Sequence, residues 1–228
     1  GEPDGGCRRA SCRRAARARW LADEGDHDRS RREQGVALLR ARGVDPDVGS
    51  WTVVPSNLAR PVALDPTAVA DFRRHLRRVL DDLVSGGPGR SAPDSDAADV
   101  AGEPPPEETD AVARACATCR GWCCRRGGSH AFLDVRSVDR VWRGRPGASP
   151  TALEALYVEH LGDTHLDGGC VFQGESGCRL PRSLRSDTCN SWLCPDLGRQ
   201  RERWRDGGEE PSATRFVAVD APARRKKS

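Results

Sequence analysis

The chain has 228 residues, ten cysteines and a formal net charge of +3. The length allows one or two domains, and the small net charge argues against the highly charged class of disordered protein. No apolar run is long enough for a signal peptide or a membrane helix, so we expect a soluble cytoplasmic protein. Because the sequence contains no Met, we expect it to be either processed or a piece of a longer protein.

The N-terminal region, residues 1–84, is predicted to be helical and carries no chemical motif. Its first 20 residues are rich in Arg, Gly and Ala and include Cys7 and Cys12, which have no CxxC partner and are not expected to be ligands. The arginine run there is expected to be a solvated tail or helix face. A short helix is predicted over residues 30–42.

The strongest helix signal follows an extended piece predicted over residues 51–63. Asp65 is a good N-cap, and Pro66 suits the first turn of a helix that continues to about Val84. The apolar residues of this helix recur at a spacing of three and four, which predicts one buried stripe. They are Val69, Phe72, Leu76, Val79, Leu80 and Leu83.

Composition divides the rest of the chain into three parts. Residues 85–109 are rich in Gly, Pro, Ser and acidic residues, which predicts a flexible linker. Residues 110–197 are predicted to form a cysteine-cluster metal-binding domain, and residues 198–228 a polar tail. The local predictions after the linker are a helical turn at 110–115, a strand at 131–133, helices at 137–141 and from 149, a hairpin over 170–180, and a strand at 216–219.

Eight of the ten cysteines fall in the predicted metal-binding domain. The first group is Cys116, Cys119, Cys123 and Cys124, and the second is Cys170, Cys178, Cys189 and Cys194. Thiolates are soft ligands that suit zinc, copper(I) and iron–sulfur clusters, and the CxxC spacing lets one turn aim two sulfurs at one metal. Adjacent side chains of an extended chain point to opposite sides, so Cys123 and Cys124 are not expected to be equivalent ligands of one ion. The eight cysteines are therefore compatible with two four-sulfur sites or with one such site and spare cysteines.

The CxxCxxxCC spacing of the first group resembles the signature of the YkgJ-type cysteine-cluster family of zinc- or iron-chelating domains. Residues 168–170 with Cys178 resemble that family's hairpin, and residues 185–194 resemble its closing run, Arg-Pro-x-x-Cys-Arg-x-aromatic-x-Cys. Ser186 here replaces the proline and Asn190 the second arginine, which puts a role of that arginine in doubt. Over residues 112–197 the resemblance implies metal binding by the eight cysteines, without a settled activity.

The identity of the metal stays open at this stage between zinc and iron. Zinc suits a closed site of four thiolates, and iron–sulfur clusters also use four cysteines. Eight cysteines exceed what one structural zinc needs, which favours iron or an iron–sulfur cluster. The cysteine pattern is also similar to that of a lysine methylase that acts on flagellin, so an iron–sulfur-dependent enzyme is an alternative function.

A disulfide scaffold and a zinc-ribbon-like module that binds nucleic acid or protein would also use several cysteines. Ten cysteines in 228 residues are far from disulfide-dense, which argues against the scaffold. Arg120, Arg125 and Arg126 flank the first group, but the absence of Ile and Met indicates a bias toward GC-rich codons that already explains the arginine excess. Nucleic acid is therefore the weaker expectation, and no specific partner follows from the sequence.

Catalytic candidates within the domain are histidines and nearby carboxylates, although surface positions are the simpler expectation for them. They are His130, His160, His165, Asp163 and Asp167. The predicted fold class is α+β, with a small irregular cysteine-rich domain of short helices and a hairpin after a helical N-terminal region. Four aromatic side chains are expected to form much of a dry shell around the sulfurs. They are Trp122, Phe132, Phe172 and Trp192.

Overall fold

The computed structural model describes residues 27–86 and 105–220. Its helices are α1 (27–41), α2 (Pro66–Val84), α3 (Pro106–Cys119), α4 (Val135–Arg143), α5 (Pro150–Val158), α6 (Asp187–Ser191) and α7 (Pro195–Arg205). Its strands are β1 (Trp51–Ser56), β2 (Pro61–Ala63), β3 (Thr164–Leu166), β4 (Gln173–Gly174), β5 (Gly177–Cys178) and β6 (Arg215–Asp220). Two short 3-10 helices cover Trp122–Arg126 and Arg182–Leu184. Within the described ranges, no helix is long and apolar enough to span a membrane.

The strands form three two-stranded sheets. β1 pairs in parallel with β6, and this places Trp51 opposite Arg215. β2 is antiparallel to β3, and β4 is antiparallel to β5, which makes the tight hairpin predicted between the second-group cysteines. Helices and small sheets together confirm the α+β class.

Helix α2 begins and packs as its sequence predicts. The carboxylate of Asp65 accepts a hydrogen bond from the backbone N–H of Thr67 at 2.8 Å, and Pro66 opens the first turn. This N-cap satisfies one of the backbone donors that a helix leaves unpaired at its start. The apolar stripe is buried and packs against α4 and α5. Its buried residues are Phe72, Leu76, Val79, Leu80 and Leu83.

The N-terminal half shares its core with the cysteine-rich half. Phe72 of α2 meets Phe172 edge to face, with ring centroids 5.0 Å apart, and Cys170 belongs to the same hydrophobic cluster. The pairing of β1 with β6 and of β2 with β3 joins the two halves again. This packing differs from the predicted organisation, in which residues 1–84 form a helical region separate from a domain at 110–197. The described part of 1–84 also contributes strands.

The sheet of β1 and β6 has a core on each face, because successive strand residues point to opposite sides. On one face Trp51, Val53, Val217 and Val219 pack against Leu39 of α1. The other face is covered by α3 and α7. It contributes Val54, Phe216 and Ala218 to a cluster with Ala115, Cys119, Leu197 and Trp204.

Three local predictions are wrong. Residues 131–133 do not form a strand, because Ala131 and Phe132 have φ of 51° and 56°, in the left-handed region. The predicted polar tail at 198–228 contains most of α7, with Trp204 buried, whereas the strand predicted within it at 216–219 is confirmed as β6. Helix α3 starts at Pro106, inside the predicted linker. The rest of that linker from 87 to 104, together with 1–26 and 221–228, lies outside the described residues, as do Cys7 and Cys12.

Candidate metal centre

The CxxC motif lies at the end of a helix. Cys116 and Cys119 belong to the last turn of α3, which is longer than the predicted turn at 110–115. Arg120 ends the helix with φ of 56°, and Gly121 follows with φ of 68°. These two left-handed residues reverse the backbone, and the chain then enters the 3-10 helix Trp122–Arg126.

The side chain of Gln173 holds this reversal in place. It is 1% exposed, and its Nε2 donates hydrogen bonds to the carbonyls of Arg120 at 2.7 Å and Gly121 at 2.8 Å. A Cβ added at Gly121 would lie 3.0 Å from this Nε2 and 3.1 Å from Cys124 Sγ. A larger residue at Gly121 would therefore meet both its positive φ and the crowding around it.

Four cysteines meet at a first cavity of about 360 Å³ of empty space, counting its open mouth. We call these four the first set: Cys116, Cys119, Cys123 and Cys194. The CxxC pair comes from α3, and the other two come from the 3-10 helix and from the residue before α7. The rest of the wall is largely apolar and includes Val54 and Pro55 of β1, together with Trp192 and Leu197.

The other four cysteines meet at a second cavity of about 350 Å³, again counting its mouth. We call these four the second set: Cys124, Cys170, Cys178 and Cys189. They come from the 3-10 helix, from the two sides of the β4–β5 hairpin and from α6. Phe172 and Leu180 supply apolar wall, and Arg185 is the charged residue in it.

The adjacent residues Cys123 and Cys124 are divided between the two sets. The sequence predicts that they are not equivalent, on the assumption of an extended chain. They lie instead in a 3-10 helix, where three residues make one turn and neighbours point in different directions. The structure thus brings all eight predicted ligands into two groups of four, while their role as metal ligands stays a prediction.

Burial makes most of these thiols weaker acids. It raises the pKa of Cys116 and Cys194 to about 12 and that of Cys119 to about 11 in the first set. In the second set it raises the pKa of Cys170 to about 12 and also raises the pKa of Cys189. The cause is the loss of water around a would-be thiolate. A metal that bound these sulfurs would therefore have to displace their protons.

The contact between Cys123 and Cys124 acts in opposite directions on the two residues. The thiol of Cys124 donates to Cys123, which lowers the pKa of Cys123 and raises that of Cys124. The positive charge of Arg185 also helps to lower the pKa of Cys123. Of the two residues, Cys123 is therefore the one that becomes a thiolate more readily.

Backbone N–H groups point at several of these sulfurs, as is usual for thiolate ligands. Trp122 donates its N–H to Cys119 Sγ at 3.1 Å. Backbone N–H groups of Leu197 and Phe172 lower the pKa of Cys194 and Cys170 against the larger raising effect of burial. This donor set suits negatively charged sulfur. At the same time, no group of three or more His, Cys, Asp or Glu side chains in residues 27–86 and 105–220 is arranged to hold a metal ion.

The predicted aromatic shell is only partly present. Phe172 is fully buried and lines the second cavity, where Phe132 is half-buried. Trp122 is half-buried at the first cavity, with the guanidinium of Arg125 stacked 4.9 Å from its ring. Trp192 lines the first cavity as predicted, but it is 49% exposed and so does not keep that side dry.

The histidine and carboxylate candidates do not line either cavity. His130 is exposed and accepts a hydrogen bond from the N–H of Phe132, and His160 lies 3.7 Å from the Glu159 carboxylate. His165 belongs to β3, and Asp163 and Asp167 lie on either side of that strand. Their predicted catalytic roles stay predictions.

The two positions that depart from the resembled family have structural roles. Ser186 is fully buried and its hydroxyl accepts the N–H of Cys189, which caps α6. The amide of Asn190 donates to the carbonyl of Arg182, and Arg182 donates back to the carbonyl of Asn190. This reciprocal pair braces the turn before the α6 cysteine without an arginine at position 190.

Two residues near the sets were not singled out by sequence reasoning. Arg185 donates from Nε to the Leu180 carbonyl at 2.8 Å, and its charge favours the thiolate forms of cysteines in both sets. Arg31 of α1 pairs with Asp196, two residues after Cys194. Arg185 could have been found from its place in the resembled closing run. Arg31 could not, because nothing local connects it to the cysteines.

Comparison with known proteins adds no relatives: no family model, curated protein or solved structure matches this chain. The resemblance to the YkgJ-type family therefore stays a prediction that rests on the cysteine spacing and on the residues beside those cysteines.

Proposed function

We propose that this protein binds two metal centres, each through four cysteine thiolates, and that both centres are iron–sulfur clusters. The observation that carries the proposal is the division of eight cysteines into two cavities with four in each and none shared. Four thiolates are the usual ligand set of a [2Fe–2S] or [4Fe–4S] cluster. Such a cluster supplies one-electron redox chemistry when it is bound.

The number of cysteines supports iron–sulfur clusters over one structural zinc ion. Such an ion takes four ligands, and eight cysteines line the two cavities. Iron–sulfur clusters also take four cysteines each, so two clusters would use all eight.

The chemistry of the cavity walls supports a role in holding the clusters rather than in acid–base catalysis. The described residues that line the two cavities include no histidine and no carboxylate, and Arg185 is their only charged member. Apolar walls keep water from a cluster, and N–H donors to its sulfurs are among the features that set its reduction potential.

The test is metal analysis of protein purified without oxygen, together with two single-cysteine variants. We expect iron and acid-labile sulfide in equal amounts, and a brown colour. Cys119→Ser and Cys170→Ser should each lose about half of the iron, because each variant removes a ligand from one set only. Cys12→Ser, outside both sets, is the matched control and should keep all of it.

Three results would count against the proposal. Stoichiometric zinc in place of iron would replace the clusters by zinc sites. Unchanged iron in both variants would remove these cysteines from the ligand set. Protein without metal and with every cysteine oxidised would favour the disulfide alternative.

A further inference from the structure

The side chain of Arg31 is buried with part of its hydrogen-bonding capacity unused. It is 12% exposed, and its Nη1 lies 2.6 Å from a carboxylate oxygen of Asp196, which is itself 5% exposed. Its Nε and Nη2 are buried and have no hydrogen-bond partner among the described residues. Unpaired buried donors are costly, and those of a charged group are the most costly. The N–H groups of these two nitrogens therefore indicate an acceptor that arrives with a ligand.

The first set adjoins this ion pair. Asp196, the partner of Arg31, follows Cys194 by two residues, and the charge of Arg31 also acts on Cys119. Cysteines must be deprotonated to hold a metal, so a loaded first set presents negative sulfur to its surroundings. Thiolate ligands accept hydrogen bonds from neighbouring donors, and a guanidinium offers several donors in a fixed fork.

We infer that Arg31 donates hydrogen bonds to the thiolates of the metal-loaded first set, and that this contact makes the docking of the first half of α1 depend on the metal. The inference rests on the proposed function, since it needs a metal in the first set. Arg31 would be a positioning residue that connects the N-terminal helix to the state of the centre.

The two halves of α1 are held by different forces, which allows one half to respond alone. The first half is held by ion pairs: Arg31 with Asp196, and Asp28 with Arg199 at 3.2 Å. The second half is held by apolar packing around Leu39. It also lies so close to the sheet that a Cβ added at Gly35 would come within 2.8 Å of a Val53 methyl group. Loss of the metal removes a partner from the first half and leaves the second half packed.

The test is hydrogen–deuterium exchange, measured on the full chain with its metal and after anaerobic removal of the metal by a chelator. We expect amides 29–34 to exchange roughly tenfold faster, or more, without metal, the effect of losing a charged hydrogen bond. Amides 36–41 should keep their rates. Arg31→Gln should exchange fast at 29–34 in both states, and Arg31→Lys should be intermediate. Arg40→Gln removes the same charge from an exposed position of α1 and should behave as wild type.

Each contrary outcome identifies which idea fails. Equal exchange at 29–34 in metal-loaded and metal-free wild type would overturn the inference and leave the proposed function standing. The inference would also be overturned if Arg31→Gln sped up exchange relative to wild type by the same factor with and without metal. In that case Arg31 would act through Asp196 alone. Faster exchange that spreads to 36–41 and β1 would mean general unfolding and would also overturn it. Protein that binds no metal would overturn the proposed function as well.

Discussion

Replacement of Gly127 by alanine should disable the second set while the first set survives. Gly127 follows the 3-10 helix and has φ of −72°, so its backbone conformation suits any residue. A Cβ there would lie 2.9 Å from Cys170 Cβ, 3.0 Å from Cys170 Sγ and 3.3 Å from the carbonyl of Cys124. Two of these three atoms belong to backbone or to a Cβ, which cannot rotate away. Cys170 must therefore move out of its place.

The expected cost of Gly127→Ala is that of overpacking a buried site, about 1–3 kcal/mol of unfolding free energy. The displaced thiol should also release the second centre, which corresponds to about half of the iron. Denaturant unfolding measures the first quantity, and iron and sulfide analysis measures the second.

Gly198→Ala is a matched control for this substitution. Gly198 lies inside α7, and nothing lies within 4 Å of a Cβ built there. Because alanine favours a helix over glycine, this variant should gain about 0.5–1 kcal/mol and keep all of its iron. A Gly127→Ala protein with wild-type stability and full iron content would refute the close packing of Gly127 against Cys170.

Two further predictions concern the core and the pH dependence. Phe72→Ala should lower the free energy of unfolding by about 3–5 kcal/mol, and because the Phe72 ring packs against Phe172 it should also lower the iron content of the second set. The control is Val84→Ala on the same helix. Val84 is 61% exposed, so this variant should change the free energy of unfolding by less than about 0.5 kcal/mol. Burial raises the pKa of Glu209, but hydrogen bonds from Ser50 and Gln200 and the positive charge of Arg203 together outweigh burial and lower this pKa from 4.5. As the pH falls, the Glu209 carboxylate therefore takes up a proton in the unfolded chain before it does so in the folded protein. The stabilisation that Glu209 contributes is present at neutral pH and is lost as the pH falls below about 4.5. Glu209→Gln should be less stable than wild type at pH 7 by at most about 1 kcal/mol, and the urea midpoints of the two proteins should converge in acid. A difference in urea midpoint that stays constant from pH 7 to pH 3 would contradict this role of Glu209.

Local signals predicted local structure well. The Asp65 cap, Pro66 and a regular apolar stripe all predict one helix. The structure has that helix, and five of the six predicted stripe residues are buried, Val69 being the exception. Ser149 likewise caps α5 as predicted. Where capping residues, proline position and apolar spacing all favour the same element, that element can be predicted without knowledge of its tertiary contacts.

The features that sequence reasoning missed depend on contacts between residues that are far apart in the sequence. Nothing in the sequence of β1 indicates that it pairs in parallel with β6, a strand more than 150 residues later. The core that the two halves of the chain share was therefore not predicted. Polar composition hid α7, which buries Gln200 completely among hydrogen-bonding partners rather than apolar ones. The CxxCxxxCC spacing indicated that Cys123 and Cys124 differ, but not which cavity each one joins. The other three cysteines of the second set lie 46 or more residues after Cys124, so only the fold brings them together.

The pairing of β1 with β6 has a consequence for biosynthesis. The hydroxyls of Ser50 and Thr214, at one end of this sheet, lie 3.2 Å apart although 164 residues separate them in sequence. A contact of such high sequence separation forms late in folding, and here it must wait until the ribosome has made almost all of the described chain. Val54 and Pro55, which cover the first set, depend on that pairing for their position. The first set is complete only when Cys194 has been made, and β1 can cover it only after β6 has been made and has paired. If the proposed function holds, a metal donor therefore has access to these thiols before the β1 wall is in place.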